Sequence, residues 1–415
     1  MMKWLISIFS TSYVAAATYN AATVAYSDVS NAVALSTVGD TVVVPAGTVT
    51  WTNTLTLTNG ITLRGAGAGQ TTIYGTGNNL IYFNLSADNP ARVTGFSFTN
   101  IWDSSYACAV YVLGDYHNGS SGPSTAVRID HCNFLGGGRT VYFVGQKAYG
   151  LVDHCNFTNG MNTVAVQAFD NLSWDEPFGL GTTNAVVVEN CVFYQTGLSL
   201  GTQVYNEEGA RFVVRSNTFI KLGTGDYQFV ECHGNQNYYT GTGADYRGCL
   251  FGEVYGNTFV GENYRRITYW RSGTILSYNN AFNITNVYEG ATLSCIQITD
   301  EETHRSSLQP NHCDWPFQDA VTNSYFWGNT LRGTSMTTID DETGGYCTNG
   351  VFVVNTDYWL SDPRTTTTTN RSGAVNVLSG YTPLAYPHPR VTAEDAVVTA
   401  ATVIGLLSVG TIQSP

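Results

Sequence analysis

The sequence predicts an all-β protein: a single-stranded right-handed parallel β-helix, a three-sheet solenoid with a short N-terminal helical cap. Three observations predict it. A six-residue phrase recurs along the chain, its spacing returns to 23 residues, and the composition suits strands and turns. Charged residues make up only 12% of the 415 residues, while 43 are glycine and 26 are tyrosine. Aromatic and β-branched side chains favour pleated strands, and glycine and asparagine favour tight turns.

The recurring phrase begins with an apolar or aromatic position in most copies and ends in Phe or Leu. Its copies are Ile129–Phe134, Val152–Phe157, Val188–Phe193, Val214–Phe219, Val254–Phe259, Ser277–Phe282 and Phe326–Leu331. Two intervals between final residues are 23 residues, and others are 26, 36 and 40. A short base period with insertions is typical of a solenoid whose coils are joined by loops of variable length.

The position two residues before the end of each phrase predicts an internal ladder. It is occupied by Cys132, Cys155, Cys191, Asn217, Asn257, Asn280 and Asn329. Stacked at about 4.8 Å per coil, these side chains would line one turn. Asparagine tolerates the left-handed conformation expected at that turn, and its amide can bond its neighbours. We therefore interpret the three cysteines as buried turn residues. Nine cysteines, an odd number, exclude a fully paired disulfide framework.

Four segments are expected. Residues 1–17 resemble a signal peptide or an N-terminal attachment segment, with a basic start and an apolar stretch. Residues 18–60 form the N-terminal cap and first coil, including a short helix from Tyr26 to Leu35. Residues 61–360 form the parallel β-helix. Residues 361–415 are a C-terminal extension whose uncharged tail is either an assembly segment or a closing strand, and is too short to span a membrane.

The net charge of −13, with 18 basic residues and no long basic run, argues against nucleic acid as a partner. The same charge repels an acidic polysaccharide on average. A local arginine cluster or a bridging cation would still allow such a polysaccharide to bind.

Several stretches resemble the pectate-lyase-like superfamily of right-handed parallel β-helix proteins. They are Gly39–Val42, Pro45–Gly47, Trp51, Gly209–Phe219, His233–Gly234, Tyr246–Gly248, Glu253–Phe259, Arg271–Thr274, Tyr381–Pro383 and Tyr386–Pro389. The resemblance spans roughly residues 20–390. It implies the fold, which hosts lyases, hydrolases, epimerases, tailspikes and adhesins, and it does not imply one activity. The Arg-x-Pro-x-x-Arg pattern of extracellular pectate lyases is absent, and the motifs of polygalacturonases are missing or in the wrong order.

A functional site is expected on an outer face and its loops, because stacked side chains fill the inside. The long intervals predict loops at about 168–184, 231–249, 296–320 and 335–350. Twelve residues beyond Phe219 and Phe259 lie Glu231 and Arg271, which would face each other on neighbouring coils. Alternation along this strand predicts that Val230 and Cys232 point inward. Tyr227, Phe229, Glu231 and His233 would then point outward.

The predicted catalytic residues are Glu231, Arg271 and His233, and the predicted substrate-binding residues are Tyr227, Phe229, Arg247, Trp270 and Trp174. Aromatic faces stack on sugar rings, carboxylates and imidazole transfer protons, and arginine neutralises a uronate. Candidate second carboxylates are Glu207, Glu208, Asp226 and Glu262. The alternatives are a structural cross-strand salt bridge for Glu231–Arg271 and a loop anchor for Trp174.

No metal ligand is assigned. The acidic run Asp300–Glu302, with His304 and Arg305, is interpreted either as a calcium-binding loop or as a solvated loop.

Two functions remain open at this stage. The first is an extracellular or surface-exposed protein that binds polysaccharide and cleaves it as a lyase or glycosidase. The second is a non-enzymatic structural or receptor-binding component, such as a phage tailspike, virion appendage or surface fibre, assembled as a trimer or fibre. The low charge density, the uncharged tail and the missing motifs favour the second function.

Overall fold

The computed structural model describes residues 15–77, 79–99, 107–115, 122–168, 171–174, 176–196, 201–222, 228–234, 247–263, 266–286, 294–299, 320–342 and 352–391. Over these ranges the chain winds through three sheets in a fixed order. Neighbouring strands are parallel except in one short hairpin near the C-terminal end. The predicted single-stranded parallel β-helix is confirmed.

The N-terminal helical cap is also confirmed. Helix α1 spans Tyr26–Leu35 and buries Val29 and Ala32 against the first coil. Tyr26 meets Trp51 edge to face at 5.7 Å between ring centroids. The helix therefore covers apolar residues at the first coils, which an uncapped solenoid would expose.

Strands are numbered in chain order and sheets in the order in which each coil visits them. Sheet 1 has twelve strands: β1 Thr18–Asn20, β2 Thr41–Val43, β5 Thr62–Arg64, β8 Ala91–Thr94, β11 Ser124–Asp130, β14 Ala148–Asp153, β17 Val186–Glu189, β20 Arg211–Arg215, β23 Phe251–Tyr255, β26 Thr274–Tyr278, β29 Ser324–Trp327 and β33 Tyr358–Trp359.

Sheet 2 has eleven strands: β3 Gly47–Trp51, β6 Thr71–Gly75, β9 Ser97–Thr99, β12 Asn133–Leu135, β15 Asn156–Thr158, β18 Val192–Gln195, β21 Thr218–Lys221, β24 Thr258–Asn263, β27 Ala281–Asn286, β30 Thr330–Leu331 and β31 Thr334–Ser335. Strands β30 and β31 form the antiparallel hairpin.

Sheet 3 has ten strands: β4 Leu55–Leu57, β7 Ile81–Phe83, β10 Val110–Leu113, β13 Val141–Val144, β16 Val164–Gln167, β19 Val204–Glu207, β22 Val230–Cys232, β25 Arg266–Trp270, β28 Ser294–Thr299 and β32 Asp340–Glu342.

A stack of phenylalanines fills the inside of sheet 2, as the recurring phrase predicts. The stacked residues are Phe98, Phe134, Phe157, Phe193, Phe219, Phe259 and Phe282. Neighbouring rings are nearly parallel, with centroids 4.6 to 5.3 Å apart. This spacing equals the distance between strands, so each coil contributes one ring to a continuous apolar column.

The corner from sheet 1 to sheet 2 carries the predicted ladder. Asn257 donates to the carbonyl of Val214 at 2.8 Å and to the amide oxygen of Asn280 at 3.0 Å. Asn217 donates in turn to Asn257 at 3.1 Å. The left-handed residue, however, is the one before each ladder residue. These positions are His131, His154, Asn190, Ser216, Gly256, Asn279 and Gly328. The expectation that the ladder asparagines adopt this conformation is therefore wrong.

Long connections leave sheet 3, and three of them begin later than the intervals predict. Residues 230–232 belong to β22, residues 294–299 to β28 and residues 340–342 to β32. The intervening segments therefore run from 168 to 185, 233 to 250, 300 to 323 and 343 to 357. All four join sheet 3 to sheet 1, so insertions concentrate at one corner of the coil.

The outer face of sheet 1 is covered by the chain itself from β11 to β33. Residues 361–391, which we call the C-terminal strap, run back along this face from the last coil toward β11. The hydroxyl groups of Thr368 and Tyr325 lie 3.0 Å apart, and Arg128 on β11 donates to the carbonyl of Arg390 at 3.0 Å. The described part of the insertion after β16 packs Trp174 and Leu180 beside the strap. From β11 onward, sheet 1 therefore offers little open outer surface for a site.

Within the described ranges, no helix is long and apolar enough to cross a membrane.

Candidate functional site

Two neighbouring strands of sheet 3, β22 and β25, bring the predicted catalytic residues together. Glu231 lies on β22, His233 follows that strand, and Arg271 follows β25. The residue paired with Glu231 on β25 is Tyr269, and the main-chain NH of Arg271 donates to the carbonyl of Cys232 at 3.0 Å. Arg271 is thus nearly level with His233, two positions beyond the predicted register. The twelve-residue count failed because the turn between sheets 2 and 3 is two residues shorter in this coil.

The side chain of Arg271 nevertheless reaches back to Glu231. Its Nη2 atom forms an ion pair with Oε1 of Glu231 and lies 2.5 Å from Nε2 of His233. His233 Nε2 is itself 3.1 Å from Glu231 Oε1. Thr202 donates its hydroxyl to the other oxygen of Glu231. One carboxylate is therefore surrounded by a guanidinium, an imidazole and a hydroxyl.

This environment keeps Glu231 ionised. Burial alone would raise its pKa, but the charge of Arg271 and the contacts with His233 and Thr202 outweigh burial and hold the pKa well below its usual range. Only 7% of the side-chain surface of Glu231 and of Arg271 is exposed, and 12% of that of His233. The group is a compact, almost closed charge cluster.

A second carboxyl group beside this cluster, that of Glu208, has a raised pKa instead of a lowered one. Glu208 follows β19 and is half-buried, and burial together with the negative charge of Glu207 raises its pKa to about 8. Its Oε2 atom is buried and has no hydrogen-bond partner within the described ranges. Glu207 accepts a hydrogen bond of 2.5 Å from Tyr205 and lies 3.8 Å from Arg139. At neutral pH, Glu208 is thus mainly protonated while Glu231 is ionised.

Tyrosines follow the outer face of sheet 3 toward the N-terminal end. Tyr82, Tyr111 and Tyr142 occupy one column in register, and their rings meet edge to face at 5.2 and 5.3 Å. Tyr205 and Tyr269 continue the same column on either side of Glu231. The described structure leaves Tyr82, Tyr111 and Tyr205 partly exposed. The column spans six strand spacings, about 29 Å.

Arginines lie over these rings. Arg139 is 4.6 Å from the ring centroid of Tyr142, and Arg266 and Arg271 are 4.2 and 4.8 Å from that of Tyr269. The same outer face therefore combines aromatic surface, hydrogen-bonding groups and positive charge.

Two predicted substrate-binding residues are wrongly placed by sequence reasoning. Phe229 is buried in the core against Phe219 and Phe259, because it precedes β22 and the alternation begins only at Val230. Trp270 is fully buried and points inward in register with Cys232. Neither side chain can stack on a sugar at the surface. Val230 and Cys232 do point into the core, as predicted.

Trp174 and Arg247 pack against each other instead of lining the charge cluster. The guanidinium of Arg247 lies 3.7 Å from the ring centroid of Trp174, and the indole NH donates to the carbonyl of Gly248 at 2.9 Å. Trp174 also packs on the apolar cluster outside sheet 1. The loop-anchor interpretation of Trp174 accounts for these contacts.

Several predictions lie outside the described residues: Tyr227, Asp226 and the acidic run 300–305. Glu262 is exposed at the end of β24 on sheet 2, away from the cluster. Among the described residues, no group of three or more His, Cys, Asp or Glu side chains could hold a metal ion.

Sequence reasoning missed Thr202, Tyr205, Tyr269 and Arg139. Tyr205 lies twelve residues beyond Phe193, at the same distance as Glu231 from Phe219, so a usable signal existed. The other coils hide it because Tyr142 lies only eight residues beyond Phe134.

No protein-family model matches the chain, and no curated protein matches it. Among solved structures, the chain is similar to a polysaccharide lyase of family PL6 from Pseudopedobacter saltans. Their identity is 11%, the TM-score is 0.40, and the match covers 91% of this chain and 98% of the lyase. A pectin methylesterase variant in complex with a hexasaccharide is 11% identical, with a TM-score of 0.37 and coverage of 80% and 93%. The ORF18 protein of Geobacillus virus E2 is 14% identical, with a TM-score of 0.31 and coverage of 68% and 56%. At these values the likeness carries no conclusion about activity.

Proposed function

We propose that the protein is a polysaccharide-directed enzyme that binds its substrate along the outer face of sheet 3 and hydrolyses it beside Glu231. The observation that carries this proposal is a pair of carboxyl groups in opposite states, one after β19 and one on the neighbouring strand β22. Glu231 is held ionised, while the pKa of Glu208 is raised to about 8. Environments that separate two carboxyl groups in this way suit one as a base and the other as an acid.

In this scheme, Glu208 donates its proton to the glycosidic oxygen as the bond from that oxygen to the sugar carbon breaks. A water molecule attacks the same carbon and gives a proton to the carboxylate of Glu231. Each turnover consumes one water and forms one new reducing end. Arg271 and His233 hold the carboxylate of Glu231 in place, and Thr202 fixes its second oxygen.

Elimination by an arginine base fits the geometry less well. Arg271 forms an ion pair with Glu231, and a guanidinium stays protonated in proteins, so it has no free lone pair to remove a proton. Its charge would instead offset a substrate carboxylate. Lyase chemistry is therefore the second outcome to test.

The tyrosine column supports the binding part of the proposal. Sugar rings stack on aromatic faces, and a column parallel to the helix axis suits an extended chain more than a small ligand. Substrates of this kind are met outside cells, so we propose an extracellular location or one at a cell or virion surface.

The non-enzymatic alternative also has an observation in its favour. Glu231 and Arg271 are as buried as a structural ion pair would be. A surface fibre or receptor-binding protein would retain such a pair for stability alone.

The test is a panel of neutral and acidic polysaccharides incubated with the full chain, with and without calcium. New reducing ends without ultraviolet absorbance of unsaturated uronates are expected, together with their loss in Glu208→Gln. Glu262→Gln is the matched control, because it neutralises an exposed carboxylate away from the cluster. New ends accompanied by that absorbance would replace hydrolysis by elimination. No cleavage of any polysaccharide by folded protein would contradict the enzymatic proposal and favour the structural one.

A further inference from the structure

Two buried cysteines flank the base of the insertion that follows β22. Cys232 is the last residue of that strand, and Cys249 lies shortly before β23. The main-chain NH of Cys249 donates to the carbonyl of His233 at 3.1 Å, so the two ends of the insertion meet beside these cysteines. Both side chains belong to the core and are fully buried.

The thiol groups of Cys232 and Cys249 contact each other through a hydrogen bond. Ser272 on the neighbouring coil contacts both residues. The thiol of Cys232 donates to the carbonyl of Ser272 at 3.4 Å, and the hydroxyl of Ser272 donates to the carbonyl of Cys249 at 3.4 Å. The two cysteines therefore have adjacent main chains and side chains that face each other, which are the conditions for a disulfide bond that needs little movement of the main chain.

We propose that Cys232 and Cys249 form a disulfide bond that closes the base of this insertion. Each thiol gives up one proton and one electron, and one sulfur–sulfur bond forms. A disulfide oxidant, such as oxidised glutathione, takes up both electrons and both protons and leaves as two thiols. The bond encloses residues 233–248 in a covalent ring. This inference is independent of the proposed enzymatic activity.

The ladder cysteines have a different role, although the thiols of Cys132 and Cys155 are also in contact. Each of these two donates to the carbonyl two residues earlier in its own coil, at 3.2 and 3.3 Å. Asparagine takes the same position on later coils, so the ladder does not require sulfur. Cys232 lies outside the ladder, and its partners in register are Asn206 and Trp270. The repeat therefore gives no reason for a cysteine at that position.

Burial determines when the bond forms. It raises the pKa of the Cys249 thiol well above its usual range, and the thiolate is the form that reacts. Exchange in the folded protein is therefore slow. The pair is oxidised while the chain folds, when both thiols are accessible, or it stays reduced. The bond thus depends on the redox conditions under which the chain folds.

The experiment synthesises the full chain in a cell-free system that contains either oxidised glutathione or dithiothreitol. Soluble protein is denatured, its free thiols are alkylated, and tryptic peptides are analysed by mass spectrometry. Trypsin cleaves after Arg247, so Cys232 and Cys249 lie in different peptides. The glutathione sample is expected to contain these two peptides joined, and the dithiothreitol sample is expected to contain both in alkylated form.

Urea unfolding gives a second measurement. The glutathione sample should have the higher midpoint, because a closed ring restricts the unfolded chain. Cys249→Ala removes one partner and should unfold at the same midpoint after both syntheses. Cys295→Ala is the matched control: it removes a buried cysteine of sheet 3 outside the pair and should keep the difference between the two samples.

Three results would overturn the proposal. The first is alkylation of both cysteines in folded protein from the glutathione synthesis. The second is a joined peptide in which a ladder cysteine replaces Cys249, or a difference in midpoint that persists in Cys249→Ala. The third is soluble protein from the dithiothreitol synthesis alone, because oxidation would then trap the chain in a pairing that the fold does not accept.

Discussion

Two arginine–glutamate ion pairs lie on neighbouring sheets, and they differ in the groups that surround them. On sheet 1, Arg215 and Glu189 are fully buried, and their closest N–O distance is 2.7 Å. On sheet 3, Arg271 and Glu231 also form a close ion pair, with 7% of each side chain exposed. Both pairs join residues on adjacent coils, and nothing in the repeat itself distinguishes them.

The C-terminal strap makes the difference. Arg215 donates to the carbonyls of Leu384 at 2.5 Å and Ala385 at 2.8 Å, and Glu189 accepts from the main-chain NH of His388 at 3.0 Å. These hydrogen bonds leave the sheet 1 pair no capacity for a ligand. The partners of Glu231 are side chains of its own and neighbouring coils, including Thr202 and His233. Because the strap occupies the remaining hydrogen-bonding groups of Arg215 and Glu189, we interpret that ion pair as structural.

The largest effect is expected for Arg215→Met. It leaves Glu189 buried without its cation and removes two anchors of the strap, so it should lower the free energy of unfolding by about 3–5 kcal/mol. Urea unfolding followed by circular dichroism measures this change. Arg364→Met is the control because its ion pair with Asp362 is largely exposed, and it should cost under about 1 kcal/mol. Equal effects of the two substitutions would remove the distinction between covered and open pairs.

Glu231→Gln tests the ion pair on sheet 3. If Glu231 is the base, the substitution should reduce kcat about 10²–10³-fold on whichever polysaccharide the panel identifies. Glu262→Gln should leave kcat unchanged. Unfolding measured in parallel separates the two interpretations: a purely structural ion pair predicts lost stability with turnover retained in the folded fraction.

The sequence was sufficient to predict the parts of the fold that recur from coil to coil. The phenylalanine stack, the Cys and Asn ladder and helix α1 each follow from local pattern and position. The ladder prediction placed the left-handed residue one position too late in the chain. Asparagine occurs both at the ladder position and at the position before it, so residue type alone could not distinguish the two.

The candidate site was less predictable because it depends on turns that do not repeat. The turn before β25 is two residues shorter than the turn before β22, which moved Arg271 away from the predicted register. Its long side chain restored the contact with Glu231. The prediction that Phe229 points outward assumed that the strand begins before Val230, whereas β22 begins at Val230. The strap has no repeat, so its path over sheet 1 left no periodic signal in the sequence.

The pH dependence sharpens the assignment of acid and base. The pKa of Glu208 is raised to about 8, so activity should fall about tenfold per pH unit above 8 as Glu208 loses its proton. Stability should follow the same direction: the contribution of protonated Glu208 is complete below about pH 4.5 and is lost as the pH rises through 8. Glu208→Gln should remove this part of the alkaline loss of stability, measured by urea unfolding at pH 5 and pH 9. An unchanged pH profile in that variant would contradict the assignment.

The smallest expected effect is on the free energy of unfolding and concerns the C-terminal strap. Tyr381 donates to the buried carboxyl of Glu253 at 2.5 Å, whereas Tyr386 is 57% exposed and bonds Asn190 at 2.8 Å. Removing a hydroxyl from a buried bond leaves Glu253 short of a partner, so Tyr381→Phe should cost about 1–2 kcal/mol of unfolding free energy. Tyr386→Phe should cost less than about 0.5 kcal/mol, because water replaces its partner. Both residues lie in the same strap, so the pair isolates burial from position. Equal costs would mean that the strap opens readily, and the outer face of sheet 1 would then become a candidate surface like that of sheet 3.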